Sequence, residues 1–389
     1  MKELLAPAGN FKCLITAINA GCDAVYFGVQ DFNMRATAQN FKISDLPKIK
    51  KICSENKVKA YLTLNTIVYD EEVKKVEKII EKSKKYVDAI ICSDLAVMLL
   101  CKKHKVPFHV STQCSVSNLE TAKFYKKLGA KRIVLARELN LKQIKKIAKT
   151  IPVEIFIHGA MCVAVSGRCF TSQFLFNKSA NRGECLQPCR RFYKVEDDSG
   201  NVLKITNHRI FSAKDLCTLP FIEKLKKAGI TSFKIEGRNR EPEYVDMVVR
   251  IYRKAIDKKL NKKEIEESLK ELKKVYNRGF SSGFYIKSPT SDDFSNIEHS
   301  DATHSKRFIG KIKHYYGKPG VGLLKLNAGV LKIGDDIIVI GKTTPLIRQK
   351  IGSMEIDNKK VKVVKKGQEV GIKLPLCRKG DELYKIILK

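Results

Sequence analysis

The sequence predicts an α/β protein in which a TIM-like (β/α)8 barrel, not necessarily regular, precedes a small C-terminal all-β barrel. Three observations lead to this prediction. The first 240 residues contain eight short apolar segments, amphipathic helical segments separate the first seven, and a glycine-punctuated pattern without helices begins at Phe308. Apolar strands that alternate with helices are typical of a parallel sheet covered on both faces.

The predicted strands account for the barrel in number and order. They begin at Glu3, Asp23, Lys59, Asp88, Pro107, Lys131, Val153 and Thr231. Eight such units favour a closed barrel. A doubly wound open sheet is the alternative. That fold usually has a glycine-rich fingerprint after its first strand, and here LLAPAGN stands in its place.

Changes in composition divide the chain. We expect the barrel over 1–290, a polar linker over 291–307 and the small β-barrel over 308–389. The connection between the seventh and eighth strands, 160–230, is a long insertion, and two helices, EPEYVDMVVRIYRKAIDKK and EIEESLKELKKVYN, follow the eighth strand. A connection of this length inside a compact domain is usually functional.

Polar side chains follow several of the predicted strands, at the end where barrel enzymes build their active sites. The candidate catalytic residues chosen by this position are Gln113, Arg137, Glu138, His158, Glu236 and Arg238. Each of them alone could instead cap a helix or form an ion pair at the rim. The ring of His158 could be hydrogen-bonded to a neighbouring backbone group. Alternatively, it could bind substrate or transfer a proton.

Four of the twelve cysteines fall within the insertion. Six residues separate Cys162 from Cys169, fifteen separate Cys169 from Cys185, and three separate Cys185 from Cys189. Four thiolates complete either a [4Fe-4S] cluster or a tetrahedral zinc site, and only the last gap suits a zinc knuckle. An iron–sulfur cluster is therefore the favoured occupant, with zinc and unliganded thiols as the alternatives.

Glycines and arginines surround these cysteines. Gly159, Gly167 and Gly183 would let the backbone approach a bulky cofactor. The nearby arginines, among them Arg190 and Arg191, would offset the negative charge of a tetrathiolate cluster or contact RNA.

The formal net charge of +34 favours a polyanionic partner such as RNA or DNA. The C-terminal segment 308–389 has its own bias, with 18 Lys and Arg against 7 Asp and Glu. A generally lysine-rich proteome would explain the same excess. Two segments join basic and aromatic residues and are candidates for nucleic-acid contact, although ordinary surface segments have the same composition. They are Arg190, Arg191, Phe192, Tyr193 and Lys194, and Lys311, Lys313, His314, Tyr315 and Tyr316.

The start of the sequence, MKELLAPAGN, does not read as a signal peptide. No uncharged apolar run reaches the length of about 18 residues that a transmembrane helix needs. We therefore expect a cytoplasmic protein without membrane contact, in which thiols stay reduced.

Several blocks of the chain closely resemble the collagenase-like peptidases, or peptidase family U32, over nearly the whole length. These blocks are ELLAPAGN, GCDAVYFG, FNMRATAQNF, STQCSVSN, RIVLARELNL, EIFIHGAMCVAVSGRCFTSQ, GECLQPCRRFY and FKIEGRNREPEYV. The C-terminal module is similar to the β-barrel that forms the second domain of translational GTPases.

The resemblance implies more than the family name. Some relatives hydroxylate RNA bases, in tRNA or in 23S ribosomal RNA, with prephenate implicated as the hydroxyl donor, and others support ubiquinone hydroxylation. These relatives hold an iron–sulfur cluster on cysteines that match Cys162, Cys169, Cys185 and Cys189. The ubiquinone branch lacks the C-terminal barrel, so its presence here favours RNA.

We therefore expect an iron–sulfur-dependent hydroxylase of tRNA or rRNA bases. A peptidase is the alternative, and a non-catalytic RNA- or ribosome-binding protein is a third. Peptidase motifs are weak in the sequence, because Gly279–Gly283 fits G-x-S-x-G but follows a helix, whereas a nucleophile elbow follows a strand. We predict a loop there.

Overall fold

The computed structural model describes residues 2–191, 193, 198–200, 211–297 and 299–389. Phe192 and Lys194, two members of the first basic and aromatic segment, lie outside the described residues. Within the described ranges, no helix is both long enough and apolar enough to cross a lipid bilayer.

Eight parallel strands in the described part of the chain form a closed barrel, which confirms the predicted fold. Each of the first seven pairs with the next, and the last closes the barrel by pairing with both the seventh and the first. Each begins at its predicted start or one residue later. The barrel strands are β1 (Glu3–Pro7), β2 (Ala24–Gly28), β3 (Lys59–Leu64), β4 (Ala89–Cys92), β5 (Phe108–Val110), β6 (Arg132–Val134), β7 (Val153–Gly159) and β9 (Ser232–Ile235).

Helices cover the outside of the barrel, and several begin at a side chain that caps the first turn. Asn10, Asn118, Asn140 and Asn261 each accept a hydrogen bond from the backbone N–H three residues later. The helices are α1 (Phe11–Asn19), α2 (Leu46–Glu55), α3 (Val73–Ser83), α4 (Leu95–Lys103), α5 (Leu119–Leu128), α6 (Leu141–Ala148), α7 (Thr171–Phe176), α8 (Ile222–Lys226), α9 (Pro242–Asp257) and α10 (Lys262–Leu272). The last two are the helices predicted after the eighth barrel strand.

Two short strands that the sequence did not predict extend the sheet beside β7. Strand β8 (Asp215–Cys217) pairs antiparallel with the end of β7, and β10 (Phe280–Ser281) pairs parallel with β8. The strand β10 lies within the G-x-S-x-G segment that was predicted to be a loop. Both strands lie at the carboxyl end of β7, and β8 is itself part of the insertion.

The barrel interior combines apolar and charged side chains. Glu154 is fully buried and accepts hydrogen bonds from Lys234 at 2.9 Å and from Arg132 at 3.1 Å. Arg132 also donates to both carboxylate oxygens of Glu3, and one of them accepts from Tyr61 as well. Each charge in this network therefore has a partner of opposite sign.

The C-terminal segment folds as a curled antiparallel sheet with a core of its own, again as predicted. Its order is β15-β14-β20-β11-β12-β19-β16-β17, and β13 pairs with β18. The strands are β11 (His304–Tyr316), β12 (Val321–Leu326), β13 (Val330–Lys332), β14 (Asp336–Ile340), β15 (Ile347–Lys350), β16 (Met354–Ile356), β17 (Lys359–Lys360), β18 (Val363–Lys365), β19 (Glu369–Lys373) and β20 (Glu382–Leu388). The strand β11 begins inside the segment predicted as a linker.

Ion pairs connect this sheet to the barrel. Lys12 in α1 lies 2.6 Å from Glu382, and Lys306 lies 3.0 Å from both Glu241 and Glu243 at the start of α9. Helices of a βα barrel begin at the carboxyl ends of its strands, where barrel enzymes place their active sites. The sheet is therefore attached on the same side as the candidate site.

Candidate functional site

A cavity of about 130 Å³ lies at the carboxyl ends of the barrel strands. We call it the cysteine cavity, because three of the four clustered cysteines line it: Cys162, Cys185 and Cys189. Cys162 and Cys185 are both within electrostatic range of the Cys189 thiol, whose pKa is raised by burial. Cys169 is not among the lining residues, and its Sγ lies 3.2 Å from the hydroxyl of Thr171.

The spacing of the sulfur atoms bears on which metal group they could hold. No three of the four cysteine sulfurs lie within 4.8 Å of one another, and among the described residues only Glu77, Glu81 and His104 reach that spacing. A single zinc ion with Zn–S bonds of about 2.3 Å would bring its sulfurs to about 3.8 Å. A cluster holds its cysteines farther apart, because iron and sulfide atoms lie between them. The four sulfurs are therefore not at the spacing that one tetrahedral zinc ion would impose.

Close packing of the insertion against the barrel brings these cysteines to the cavity. Gly183 has φ +91°, and a Cβ there would lie 2.2 Å from the carbonyl oxygen of Asn33. Its own carbonyl accepts from the N–H of Ala36 at 3.1 Å. Gly159 is confined as well, because a Cβ there would lie 2.7 Å from the carbonyl oxygen of Glu236. Contacts with the protein backbone are therefore sufficient to require glycine at both positions.

The best-defined polar contact in the cavity joins Glu236 to Arg35. Arg35 donates to Oε1 of Glu236 from Nη2 at 2.9 Å and from Nε at 3.3 Å. Burial alone would raise the pKa of Glu236, but Arg35 and Arg240 outweigh it and lower the pKa to about 2. Glu236 is therefore a carboxylate at neutral pH and is poorly suited to act as a general acid.

In the part of the chain that the structure describes, two arginines of the cavity have guanidinium nitrogens without partners. Arg137 donates from Nη1 to the carbonyl of Ala160 at 2.9 Å, while its buried Nε and Nη2 meet no acceptor of a described residue. Arg278 is 1% exposed and donates to Asp215 from Nε and Nη2, while no described residue accepts from its buried Nη1. Buried polar groups are nearly always hydrogen-bonded, so these donors indicate a place for an anionic group.

The other predicted site residues are arranged around this centre. Gln113 lines the cavity and accepts from Asn65 at 3.3 Å and from Ser111. Glu138 is exposed beside Arg137. Arg238 is buried, donates to Thr63 at 2.9 Å and does not line the cavity, and burial lowers its pKa to about 10.

His158 lies outside the cavity. Its ring is 1% exposed and packs among Tyr244, Tyr252 and Phe280. Nδ1 lies 3.3 Å from the Tyr252 hydroxyl, so a side chain rather than a backbone group is its neighbour. Burial lowers the pKa of His158 to about 3, which keeps the ring neutral.

The first predicted nucleic-acid segment is partly engaged within the protein. Arg190 donates to the carbonyls of Met161 and Ala213, and Tyr193 donates to the carbonyl of Pro188 at 2.8 Å. Arg191 is exposed, and its guanidinium lies 4.6 Å from the ring of Phe176. Of the two arginines of this segment, Arg191 has the more exposed charge.

The second predicted segment lies on β11. Lys311 is exposed, and Lys313 pairs with Glu369 at 2.5 Å. Tyr315 is half-buried and donates to the carbonyl of Leu374 at 3.4 Å.

Sequence reasoning did not single out Arg35 or Arg278, two of the cations closest to the cysteines. Arg35 lies in the loop after β2, and Arg278 follows α10. Neither stands at the end of a predicted strand. The family-like block FNMRATAQNF, which contains Arg35, was the only available signal.

Two larger clefts adjoin the cysteine cavity. A cleft of about 490 Å³, the wide cleft, shares Arg137, Met161, Cys162 and Ser166 with it. A cleft of about 340 Å³, the side cleft, shares Met34, Gln113 and Gly167. The cysteines thus lie between two openings large enough for organic ligands.

Comparison with known proteins identifies the family of this chain. The chain is 43% identical over 401 residues to an uncharacterized protease of Methanocaldococcus jannaschii, covering 99% of this chain and 98% of that protein. It is 42% identical over 404 residues to a collagenase of Porphyromonas gingivalis, covering 98% and 97%. It is 35% identical over 327 residues to tRNA hydroxylation protein P1 of Bacillus subtilis, covering 80% and 77%. The model of peptidase family U32 matches residues 9–295, and the chain belongs to that family.

Proposed function

We propose that this protein is an iron–sulfur-dependent hydroxylase of RNA bases. The observation that carries the proposal is the meeting of Cys162, Cys185 and Cys189 in one cavity at the carboxyl ends of the barrel strands. This is where barrel enzymes perform chemistry. A metal site with a purely structural role would not have to lie at the carboxyl ends of the strands or beside two clefts.

The cysteines Cys162, Cys169, Cys185 and Cys189 would hold a [4Fe-4S] cluster. When bound, the cluster supplies redox chemistry to the reaction. The cations Arg35, Arg190 and Arg278 around the cavity suit an anionic tetrathiolate group. Cys169 would complete the set from beside the cavity.

Hydroxylation exchanges a hydrogen of the base for a hydroxyl group, and prephenate is the donor we propose. Its C–OH bond would break, and the donor would take up the hydrogen and the two electrons that the base loses. Its carboxylates match the unpaired donors Nε and Nη2 of Arg137. Arg137 lies in the wall common to the cysteine cavity and the wide cleft, so a carboxylate bound there would lie at the opening between them. We assign Arg137 the role of binding and orienting this donor.

RNA is the proposed acceptor. The relative from Bacillus subtilis is named as a tRNA hydroxylation protein, and the net charge of +34 suits a polyanion. Chemistry on a base needs that base unstacked, so the target is expected in a loop of tRNA or rRNA. The wide cleft has the volume for a single nucleoside.

A peptidase is the second candidate, because the relative from Porphyromonas gingivalis is named a collagenase. The residues give it less support. The Ser281 hydroxyl of the G-x-S-x-G segment donates to Asp293 at 2.5 Å, and burial raises the pKa of Cys217 to about 11. Neither group is an activated nucleophile.

The deciding experiment is mass spectrometry of tRNA and rRNA nucleosides from a deletion strain. One hydroxylated nucleoside should be missing, the wild-type gene should restore it, and a gene with Cys185→Ala should not. The matched control is Cys377→Ala, which removes a cysteine buried in the core of the C-terminal sheet and should restore the nucleoside. Unchanged nucleosides, together with cleavage of gelatin by the pure protein, would establish the peptidase instead.

The same variants distinguish the hydroxylase from the third candidate, a non-catalytic RNA- or ribosome-binding protein. If Cys185→Ala keeps wild-type affinity for RNA but loses the modification, binding alone does not explain the function. If deletion changes no nucleoside and the protein cleaves no peptide, the binding role stands.

A further inference from the structure

The insertion exposes large apolar side chains beside the barrel mouth. Phe170 and Phe174 are 63% and 85% exposed, and Phe174 is the most exposed large apolar residue in the described part of the chain. Their ring centroids lie 6.2 Å apart. Phe170 immediately precedes the short helix α7 and Phe174 lies within it, so the two rings are about one helical turn apart. Apolar surface displayed in this way marks an interaction site.

The charge of the surrounding chain identifies the class of partner. Residues 160–191 contain five Arg and Lys and a single acidic residue, Glu184. Arg168 is exposed next to Phe170, and Arg191 lies over the ring of Phe176. A second copy of this chain would bring the same positive charge to the surface and be repelled. Exposed aromatic rings among cations are the usual platform for single-stranded nucleic acid.

The platform is continuous with the candidate active site. Phe170 and Arg168 line the side cleft together with Gln113, and Gln113 also lines the cysteine cavity. A base stacked on Phe170 would therefore lie at the entrance of a path to the cysteines. This continuity favours the RNA substrate over an unrelated protein partner.

We propose that Phe170 and Phe174 form a stacking platform for unpaired RNA bases that flank the modified nucleotide, with Arg168 contacting the adjoining phosphate. The inference rests on the proposed function, since it concerns the same RNA. It adds the surface that selects a single-stranded loop over a duplex, because paired bases cannot offer their faces to the two rings.

Binding of a fluorescein-labelled single-stranded oligoribonucleotide to the full-length protein tests the platform. Phe170→Ala and Phe174→Ala should each weaken binding by about fivefold or more, because one base loses its stacking partner. The dependence of affinity on salt should stay as in wild type for both, whereas Arg168→Gln should reduce the logarithmic salt slope by about one. Phe124→Ala is the matched control, since Phe124 is 56% exposed on α5, and it should bind like wild type.

Two further variants distinguish stacking from general apolar contact. Phe174→Tyr should retain affinity, because a flat ring remains, and Phe174→Leu should lose it. Equal affinity of wild type, Phe170→Ala and Phe174→Ala would overturn the proposal, as would full binding by Phe174→Leu. Loss of self-association or of an acidic protein partner in these variants, with RNA affinity unchanged, would also overturn it and assign the surface to a protein.

The assay separates this inference from the proposed function. It uses unmodified RNA and no hydroxyl donor, so it reports binding without chemistry. If the platform variants bind RNA weakly but the wild-type protein modifies no nucleoside, the result supports the platform and rejects the hydroxylase. A wild-type protein that binds no RNA would remove both.

Discussion

Arg35 and Glu236 meet across β1, with Nη2 of the arginine 2.9 Å from Oε1 of the glutamate. The pair joins the loop after β2 to the end of β9. Both residues line the cysteine cavity, and the loop of Arg35 also contacts the insertion at Gly183, so the charge state of the pair affects both the fold and the site.

Replacing Glu236 by Gln should make unfolding less sensitive to acid. The pKa of Glu236 is about 2 in the folded protein, against about 4.3 for an ordinary glutamate. A depressed pKa gives a contribution to stability that is complete above pH of about 4.3 and is lost as the pH falls to about 2. Between these limits the free energy of unfolding of wild type should fall by about 3 kcal/mol more than that of Glu236→Gln in urea titrations. Glu120→Gln, an exposed control on α5, should keep the wild-type profile, and the same profile in Glu236→Gln would contradict the pairing.

Glu154→Gln should destabilise the barrel strongly. The substitution leaves Lys234 and Arg132 buried without their shared carboxylate. We expect the free energy of unfolding to fall by about 3–5 kcal/mol. The double variant Glu154→Leu with Lys234→Met removes charges of both signs and should be more stable than Glu154→Gln. A double variant as unstable as the sum of its single variants would mean that the two side chains act independently.

Arg137→Gln should separate stability from activity. Two guanidinium nitrogens of Arg137 have no partner among the described residues, and its other contacts are the carbonyl of Ala160 and the ring of Phe156. The free energy of unfolding should fall by only about 1 kcal/mol. Formation of the hydroxylated nucleoside should fall at least about 100-fold, because the donor loses its charged anchor. Arg307→Gln, at an exposed position on β11, should change neither quantity, and full activity in Arg137→Gln would remove the arginine from the mechanism.

Iron analysis tests the cysteine set directly. Protein purified without oxygen should be brown and absorb near about 400 nm, as cysteine-ligated clusters do. Alanine at Cys162, Cys169, Cys185 or Cys189 should abolish or strongly lower the iron content, and alanine at Cys377 should not. Stoichiometric zinc in an iron-free protein would eliminate the cluster. Unchanged iron in Cys169→Ala alone would mean that three cysteines suffice.

The sequence predicted those features that repeat along the chain. The eight barrel strands begin where apolar segments follow helical ones, and the polar positions Gln113, Arg137 and Glu236 reached the cavity because parallel strands end at one edge. The two helices after β9 were predicted from the same periodicity. Local pattern was sufficient for these elements.

Features that depend on contacts between distant segments were not predicted. Arg278 reaches the cavity only because Asp215 of β8 holds it, and β8 is three residues long. The charged barrel interior was missed because Glu154 and Lys234 stand within strands that read as apolar. The contact of Gly183 with the backbone of Asn33 was not predicted either, because it joins two segments far apart in the sequence.

The ion pairs from Lys12 and Lys306 attach the C-terminal sheet at the rim of the barrel. If the proposed RNA substrate contacts both the barrel and the sheet, contact with one raises the effective concentration of the other. In that case the sheet would lengthen the residence time of the RNA and orient it from a distance.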